Sequence, residues 1–116
     1  MYLRCLETVK GITKNLVGIP SIVKSDGEAK CARWIYNYYK ELNYFKENQE
    51  LLMLQQTEND EIERFNVLAM VRGTKGKSKR TVILMGHIDT VGVDDFGVIS
   101  PYAFDCDKLP ELLIRS

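Results

Sequence analysis

Apolar residues recur every three or four positions over the first part of the chain, which is the spacing of one face of a helix. The members of this stripe are Leu3, Leu6, Val9, Ile12 and Leu16. The pattern stops at the Gly-Ile-Pro-Ser sequence of residues 18–21. Proline lacks a backbone donor and disfavours helical geometry in the residue before it. The sequence therefore predicts a helix over residues 3–17 followed by a loop.

A second helix is predicted to start at Ser25, because Ser25 and Glu28 have the spacing of a capping box. In that motif both side chains accept hydrogen bonds from amides that the first turn leaves unpaired. The predicted buried stripe is Ala29, Ala32, Ile35, Tyr36, Tyr39 and Leu42, flanked by Cys31, Trp34 and Tyr38. The helix is expected to end near Asn43.

Three later apolar runs, residues 51–56, 66–72 and 81–86, are predicted to be strands. The last two are rich in Val, Ile, Leu and Met and are expected to be buried on both faces. Residues 58–61 form a predicted acidic turn, and residues 73–80 a basic loop of a length that suits a hairpin. Two helices followed by strands predict an α/β fold with helices packed on a mixed β-sheet.

Beyond residue 92 the periodicity fades, and residues 92–110 are predicted to be a long loop. Residues 109–114 suggest a new element close to the end of the chain. We therefore expect residues 1–116 to be the N-terminal part of one larger domain, truncated within its fold.

Composition narrows the class of protein. Sixteen basic and sixteen acidic side chains cancel, so no overall field favours nucleic acid or a membrane surface. The cysteines Cys5, Cys31 and Cys106 are odd in number and widely spaced, which fits neither a disulfide scaffold nor a zinc knuckle. No secretory leader or long apolar segment is evident. We expect a soluble cytoplasmic protein with reduced thiols.

The candidate chemistry lies directly after the third predicted strand, in the sequence Gly-His-Ile-Asp-Thr-Val of residues 86–91. Strand geometry would place His87 and Asp89 on one side, at the strand end where ligands usually bind in α/β sheets. A carboxylate there can fix the imidazole tautomer so that the other ring nitrogen binds a metal. The residues alone leave open an ordinary hydrogen bond at a strand end.

This segment resembles the first metal motif of the M20 family of zinc aminopeptidases, dipeptidases and deacylases. The order of helix, Gly-Ile-Pro-Ser loop, helix and strands over residues 5–95 is similar to the family's N-terminal layout. The resemblance implies a zinc-exopeptidase-like (phosphorylase/hydrolase-like) catalytic domain. It also implies that His87 binds one of two zinc ions while Asp89 orients that histidine. The acidic stretch of residues 91–97 looks most like the bacterial arginine-utilisation subgroup.

The resemblance further implies cleavage of amide bonds in small peptides or N-acyl amino acids. The family's bridging aspartate and its Glu-Glu pair have no counterpart here, so the zinc site is incomplete and the chain by itself is expected to be inactive. Four aspartates stay unassigned: Asp94, Asp95, Asp105 and Asp107. Self-association through exposed apolar surface is expected. The alternatives are a non-catalytic binding or regulatory domain on a hydrolase scaffold, and a cysteine hydrolase using Cys106 and His87.

Two further motifs have simpler explanations. The glycines of the basic loop, Gly73 and Gly76, are separated by two residues, whereas a phosphate-binding loop needs four and a following helix. The loop's cations fit a solvated hairpin. Two aspartates flank Cys106, which disfavours a reactive thiolate.

Overall fold

The computed structural model describes residues 1–115. Its helices are α1 (Tyr2–Val17), α2 (Asp26–Lys40), α3 (Asn43–Glu47) and α4 (Lys108–Arg115), and its strands are β1 (Leu52–Gln56) and β2 (Phe65–Ala69). Turns of 3-10 helix cover Gln49–Leu51 and Asp94–Tyr102. None of the helices within residues 1–115 has the length and apolar character needed to cross a membrane.

The core lies between α2, α3 and the two-stranded sheet. Buried Phe45, Leu51 and Leu52 form its centre. Partly buried Tyr36, Tyr39, Tyr44 and Val67 pack around them. The rings of Tyr39 and Phe45 lie edge to face, with centroids 5.5 Å apart, a geometry that aromatic quadrupoles favour. This cluster holds the second helix against the hairpin.

Strands β1 and β2 are antiparallel, with Leu52 paired to Ala69 and Gln56 to Phe65. The pairing continues at one end through the Thr57 amide, which donates to the Arg64 carbonyl. At the other end the Met70 amide donates to the Leu51 carbonyl. Since Leu51 already belongs to a 3-10 turn, the pairing of the two strands stops there. The predicted strand extended to residue 72, but β2 ends at Ala69.

The helix predictions are confirmed in position. Helix α1 covers the predicted residues, and Ser25 caps α2 by accepting from the Gly27 amide at 3.2 Å. The prediction that the Glu28 carboxylate accepts from an unpaired amide of the first helical turn was wrong. That carboxylate accepts from the Lys24 amide, which lies before the helix, while the Ser25 amide donates to the Ile22 carbonyl.

The predicted buried stripe of α2 needs a correction. Only the N-terminal half of helix α2 is buried. Its buried residues are Gly27, Glu28, Ala29, Cys31 and Ala32. Cys31, predicted to flank the stripe, is 3% exposed, whereas Leu42 is exposed. The helix ends at Lys40 because the chain turns into the short α3, so Leu42 lies outside it as the residue before α3.

The predicted third strand is the largest disagreement. Residues 81–86 adopt no regular structure, and Val82, Ile83, Leu84 and Met85 are 77–93% exposed. A strand buried on both faces needs neighbours along both edges and cover on both sides. Nothing within residues 1–115 supplies either. For the same reason the basic loop 73–80 does not join a hairpin, and β2 is not buried on both faces.

The sheet in the described part of the chain is antiparallel and two-stranded, not the mixed sheet that was predicted. One isolated parallel bridge joins Ile22 to Thr90. The long loop after residue 92 contains the 3-10 turns, kinked at Gly97 where φ is 54°. The expected element at residues 109–114 is α4. A zinc-exopeptidase-like domain stays a prediction.

Candidate functional site

The segment that carries His87 and Asp89 is anchored to the loop between α1 and α2. The buried Ser21 hydroxyl donates to the Ile88 carbonyl at 2.6 Å. The Thr90 amide donates to the Ser21 carbonyl at 2.9 Å, and the Val23 amide donates to the Thr90 carbonyl at 2.9 Å. Three bonds therefore fix the position of residues 88–90 on this loop.

The loop itself is held by a close approach of backbone to backbone. Gly27 lies in the first turn of α2 directly against Pro20, and a Cβ added at Gly27 would be 1.7 Å from the Pro20 carbonyl oxygen. A side chain of any size would force the helix and the loop apart. The Pro20–Gly27 contact therefore sets where Ser21, and through it residues 88–90, can lie.

A charged network joins this loop to the hairpin. The Glu28 side chain is 7% exposed and accepts from the Lys24 amide and from Arg64 Nε. The same guanidinium donates through Nη1 to Asp60, which lies in the turn between the strands. The hydrogen bond from Arg64 lowers the pKa of Asp60. The buried Glu28 carboxylate thus has an opposite charge beside it, as burial of a charge requires.

His87 and Asp89 are in contact, although residues 81–86 do not form the strand from which the sequence predicted their proximity. His87 Nδ1 lies 2.9 Å from the Asp89 carbonyl oxygen and 3.3 Å from Asp89 Oδ1. The His87 side chain is 84% exposed and Asp89 46% exposed. Two oxygen acceptors beside Nδ1 favour the tautomer with its hydrogen there, which leaves the lone pair on Nε2 directed away from Asp89.

The His87 imidazole, held by Asp89, could supply one ligand of a zinc site. Imidazole nitrogen is a usual zinc ligand, but a catalytic zinc takes about three protein ligands. Within the described residues no three His, Cys, Asp or Glu side chains are grouped so that they could hold a metal ion. His87 could therefore serve as a single ligand, with Asp89 holding its ring.

The unassigned aspartates separate into two kinds. Asp94 and Asp95 are exposed at the start of the 3-10 segment Asp94–Tyr102. Asp105 accepts from the Asp107 and Lys108 amides at 3.0 and 2.9 Å, an arrangement that caps α4 and lowers the pKa of Asp105. Asp107 pairs with Lys14 of α1 at 2.6 Å, which raises the pKa of Lys14. The contacts of Asp105 and Asp107 are structural.

Among the described residues, none of the three thiols forms a hydrogen bond with His87. Cys106 is half-buried, Cys5 is exposed and Cys31 is buried. Burial raises the pKa of the Cys31 thiol, and the neighbouring Ser21 hydroxyl opposes that rise. Burial and a raised pKa both make Cys31 a poor nucleophile.

The sequence analysis did not predict which residues hold the loop that anchors residues 88–90. These residues are Ser21, Gly27, Glu28 and Arg64. Gly27 gave a usable signal, because glycine is costly within a helix and implies a close approach. The pairing of Glu28 with Arg64, 36 positions later, had no local signal.

Comparison with known proteins gives two relatives, both from Bacillus subtilis (strain 168). The chain is 38% identical to Protein RocB over 109 residues, which is 94% of this chain and 19% of that protein. It is 31% identical to the uncharacterized protein YqjN over 91 residues, 78% of this chain and 16% of that protein. No family model and no solved structure matches the chain. The chain thus spans less than a fifth of the length of the relatives it matches.

Proposed function

We propose that this chain provides the first metal-ligand segment of a zinc-dependent hydrolase that cleaves amide bonds, similar to the M20 enzymes. The observation that carries the proposal is the contact between His87 Nδ1 and the two Asp89 oxygens, beside an exposed Nε2. In this role His87 is the ligand. Asp89 is a positioning residue, because it acts on the metal only through the histidine ring.

The anchoring of the segment supports this role. A ligand is useful when its backbone is fixed, and residues 88–90 are bonded to the loop that Gly27 and Pro20 hold. Zinc bound in such a site would polarise the scissile carbonyl and lower the pKa of a bound water. We propose that the other ligands and the general base lie in the part of the relatives' length that this chain does not span.

The substrate class follows from the same resemblance. We propose a small peptide or an N-acyl amino acid as the substrate of the whole enzyme. The resemblance of residues 91–97 to the bacterial arginine-utilisation subgroup supports a place of the whole enzyme in arginine utilisation. By itself the chain is expected to show no turnover, because it offers one ligand where about three are needed.

Zinc titration by calorimetry at pH 7 tests the proposal. The chain should bind zinc weakly, and His87→Ala should abolish the heat of binding. Asp89→Ala should weaken binding by about tenfold to a hundredfold, the usual effect of losing the partner of a ligating histidine. Asp95→Ala is the matched control and should bind like the parent chain, because Asp95 is exposed and forms no hydrogen bond or ion pair with His87.

Equal heats from the parent chain and His87→Ala would contradict the role of His87. A non-catalytic binding domain would then be favoured, and dipeptides or N-acyl amino acids should be tested as ligands without metal. Zinc-dependent turnover by the chain alone, lost in His87→Ala, would contradict the incomplete site.

A further inference from the structure

Ser21 uses each of its polar groups to hold a backbone segment. Its amide donates to the Ile19 carbonyl at 2.7 Å, and its carbonyl accepts from the Thr90 amide at 2.9 Å. Its hydroxyl donates to the Ile88 carbonyl at 2.6 Å, and only 3% of the residue is exposed. Since a buried polar group costs free energy unless it is paired, these three bonds fix the conformation of Ser21.

The hydroxyl takes the place of a backbone donor. Next to the parallel bridge between Ile22 and Thr90, a regular ladder would continue with the Ser21 amide donating to the Ile88 carbonyl. That amide turns back to Ile19 instead, and the Ser21 hydroxyl supplies the hydrogen that the Ile88 carbonyl accepts. The side chain of Ser21 therefore extends the pairing by one bond that its own backbone does not make.

The two bonds between Ser21 and this segment fix the peptide groups on either side of Asp89. The Ile88 carbonyl belongs to the peptide group before Asp89, and the Thr90 amide belongs to the one after it. In a trans peptide the carbonyl and the amide point in opposite directions, and none of the bonds within residues 1–115 is cis. Because the Thr90 amide points at Ser21, the Asp89 carbonyl points away from it, and this carbonyl oxygen lies 2.9 Å from His87 Nδ1.

The Asp89 carboxylate is directed by the same two bonds. The planes of the two flanking peptide groups define the φ and ψ angles of Asp89, and these angles set the direction in which its side chain leaves the backbone. Asp89 Oδ1 lies 3.3 Å from His87 Nδ1. Both oxygens that face this ring nitrogen therefore depend on Ser21.

We propose that Ser21 is a positioning residue for His87 and acts through Asp89. Its hydroxyl and carbonyl together hold the two Asp89 oxygens against Nδ1, which keeps the hydrogen there and the lone pair on Nε2. The value of this arrangement for a metal rests on the function proposed above. The position of the hydrogen on the ring does not.

Nitrogen chemical shifts of the metal-free chain, at a pH where His87 is neutral, test the proposal. Ser21→Ala should lower the ratio of Nδ1-protonated to Nε2-protonated His87 by about twofold or more, the factor that one ordinary hydrogen bond gives. Ser21→Thr keeps the hydroxyl and should stay near the parent ratio, although its extra methyl group in a buried position lowers the free energy of unfolding. The parent ratio in Ser21→Ala, or an equal fall in Ser21→Thr, would overturn the proposal.

A second variant separates positioning from stability. Val67→Ala shortens a side chain that packs on the core of Phe45, Leu51 and Leu52, so it should lower the free energy of unfolding. It should leave the hydrogen ratio of His87 at the parent value. A fall as large as that in Ser21→Ala would show that any loosening of the fold changes the ratio, and the specific role of Ser21 would be rejected.

Hydrogen exchange checks the bonds in the parent chain. The Thr90 amide should exchange slowly because it is bonded to the Ser21 carbonyl. Ser21→Ala should speed its exchange more than that of the Phe45 amide, which is bonded within the helical region at Leu42. Exchange of the Thr90 amide in the parent chain as fast as in the exposed loop 73–80 would overturn the proposal.

Zinc calorimetry distinguishes failure of this proposal from failure of the proposed function. Ser21→Ala should weaken zinc binding, but by less than Asp89→Ala, because Ser21 acts one residue further from the ring. Equal heats from the parent chain and His87→Ala would contradict the metal-ligand role and leave the hydrogen ratio as the evidence for positioning. Heat that is lost in His87→Ala but unchanged in Ser21→Ala would overturn the role of Ser21 toward the metal.

Discussion

Residues 21–69 contain every buried residue of the described chain, whereas residues 70–87 are exposed throughout. The first region joins α2 to the hairpin through Phe45, Leu51 and Leu52, and through the bonds between Glu28 and Arg64. The second contains a run as apolar as any strand, which the described residues leave 77–93% exposed at Val82, Ile83, Leu84 and Met85. Hydrophobic sequence alone therefore does not produce a strand, because pairing and cover must come from other segments.

The candidate site lies where these two regions meet. His87 follows the exposed run, and residues 88–90 are bonded to the loop that begins the ordered region. His87 belongs to the exposed region, but the backbone next to it is held in place by the ordered region. Its position therefore depends on the stability of the ordered region. Variants of the ordered region test that dependence most directly.

The largest expected effect is at the Pro20–Gly27 contact. Gly27→Ala places a Cβ 1.7 Å from the Pro20 carbonyl oxygen, so backbone must move, and we expect the free energy of unfolding to fall by about 3 kcal/mol. Gly11→Ala is the control, and it should change the free energy of unfolding in the opposite direction. Its Cβ meets nothing within 4 Å in α1, and we expect a gain of about 1 kcal/mol. Urea denaturation of both variants measures the difference.

Similar stabilities for Gly27→Ala and the parent chain would show that the loop is not held by this contact. The anchoring of residues 88–90 would then need another cause.

The charged network should give the next largest effect. Arg64→Ala leaves the buried Glu28 carboxylate without its charged partner, and we expect the free energy of unfolding to fall clearly, though by less than in Gly27→Ala. The Lys30–Asp26 pair is the control, because both side chains are well exposed. Lys30→Ala should cost less than about 0.5 kcal/mol. Equal losses in urea denaturation would contradict a special role for the Glu28–Arg64 pair.

Acid should weaken the ordered region through the same network. The hydrogen bond from Arg64 lowers the pKa of Asp60 below its value in the unfolded chain. The unfolded state therefore binds protons first as the pH falls. The contribution of Asp60 is present above about pH 4 and is lost as the pH drops through its folded pKa.

Asp60→Asn should remove part of this dependence, so its thermal midpoint should change less between pH 6 and pH 3 than that of the parent chain. Glu41→Gln is the matched control. Lys46 also lowers the pKa of Glu41, but both side chains of that pair are about half or more exposed and water screens them. A larger flattening with Glu41→Gln than with Asp60→Asn would contradict the network.

The contrast between the regions also explains what could be predicted from sequence. Helices α1 and α2 and strand β1 have local signals, namely apolar periodicity, the Ser25 cap and a short apolar run. The contact of His87 with Asp89 was predictable because the two residues are separated by one position. Residues 81–86 carry the pattern of a strand, but their pairing depends on distant neighbours that no local pattern encodes. The same holds for Arg64 and Glu28.

The smallest expected effect is at the site itself, and it concerns the position of one hydrogen. In the parent chain at a pH where His87 is neutral, nitrogen chemical shifts from NMR should show the hydrogen mainly on Nδ1, facing the Asp89 oxygens. Asp89→Ala removes the carboxylate but keeps the backbone carbonyl, so the Nδ1 population should fall without vanishing. Asp95→Ala should leave it unchanged. If the hydrogen were mainly on Nε2, the lone pair would lie on Nδ1 and face Asp89, and Nε2 could not bind a metal in that form. That result would contradict the proposal that Asp89 positions His87 as a metal ligand.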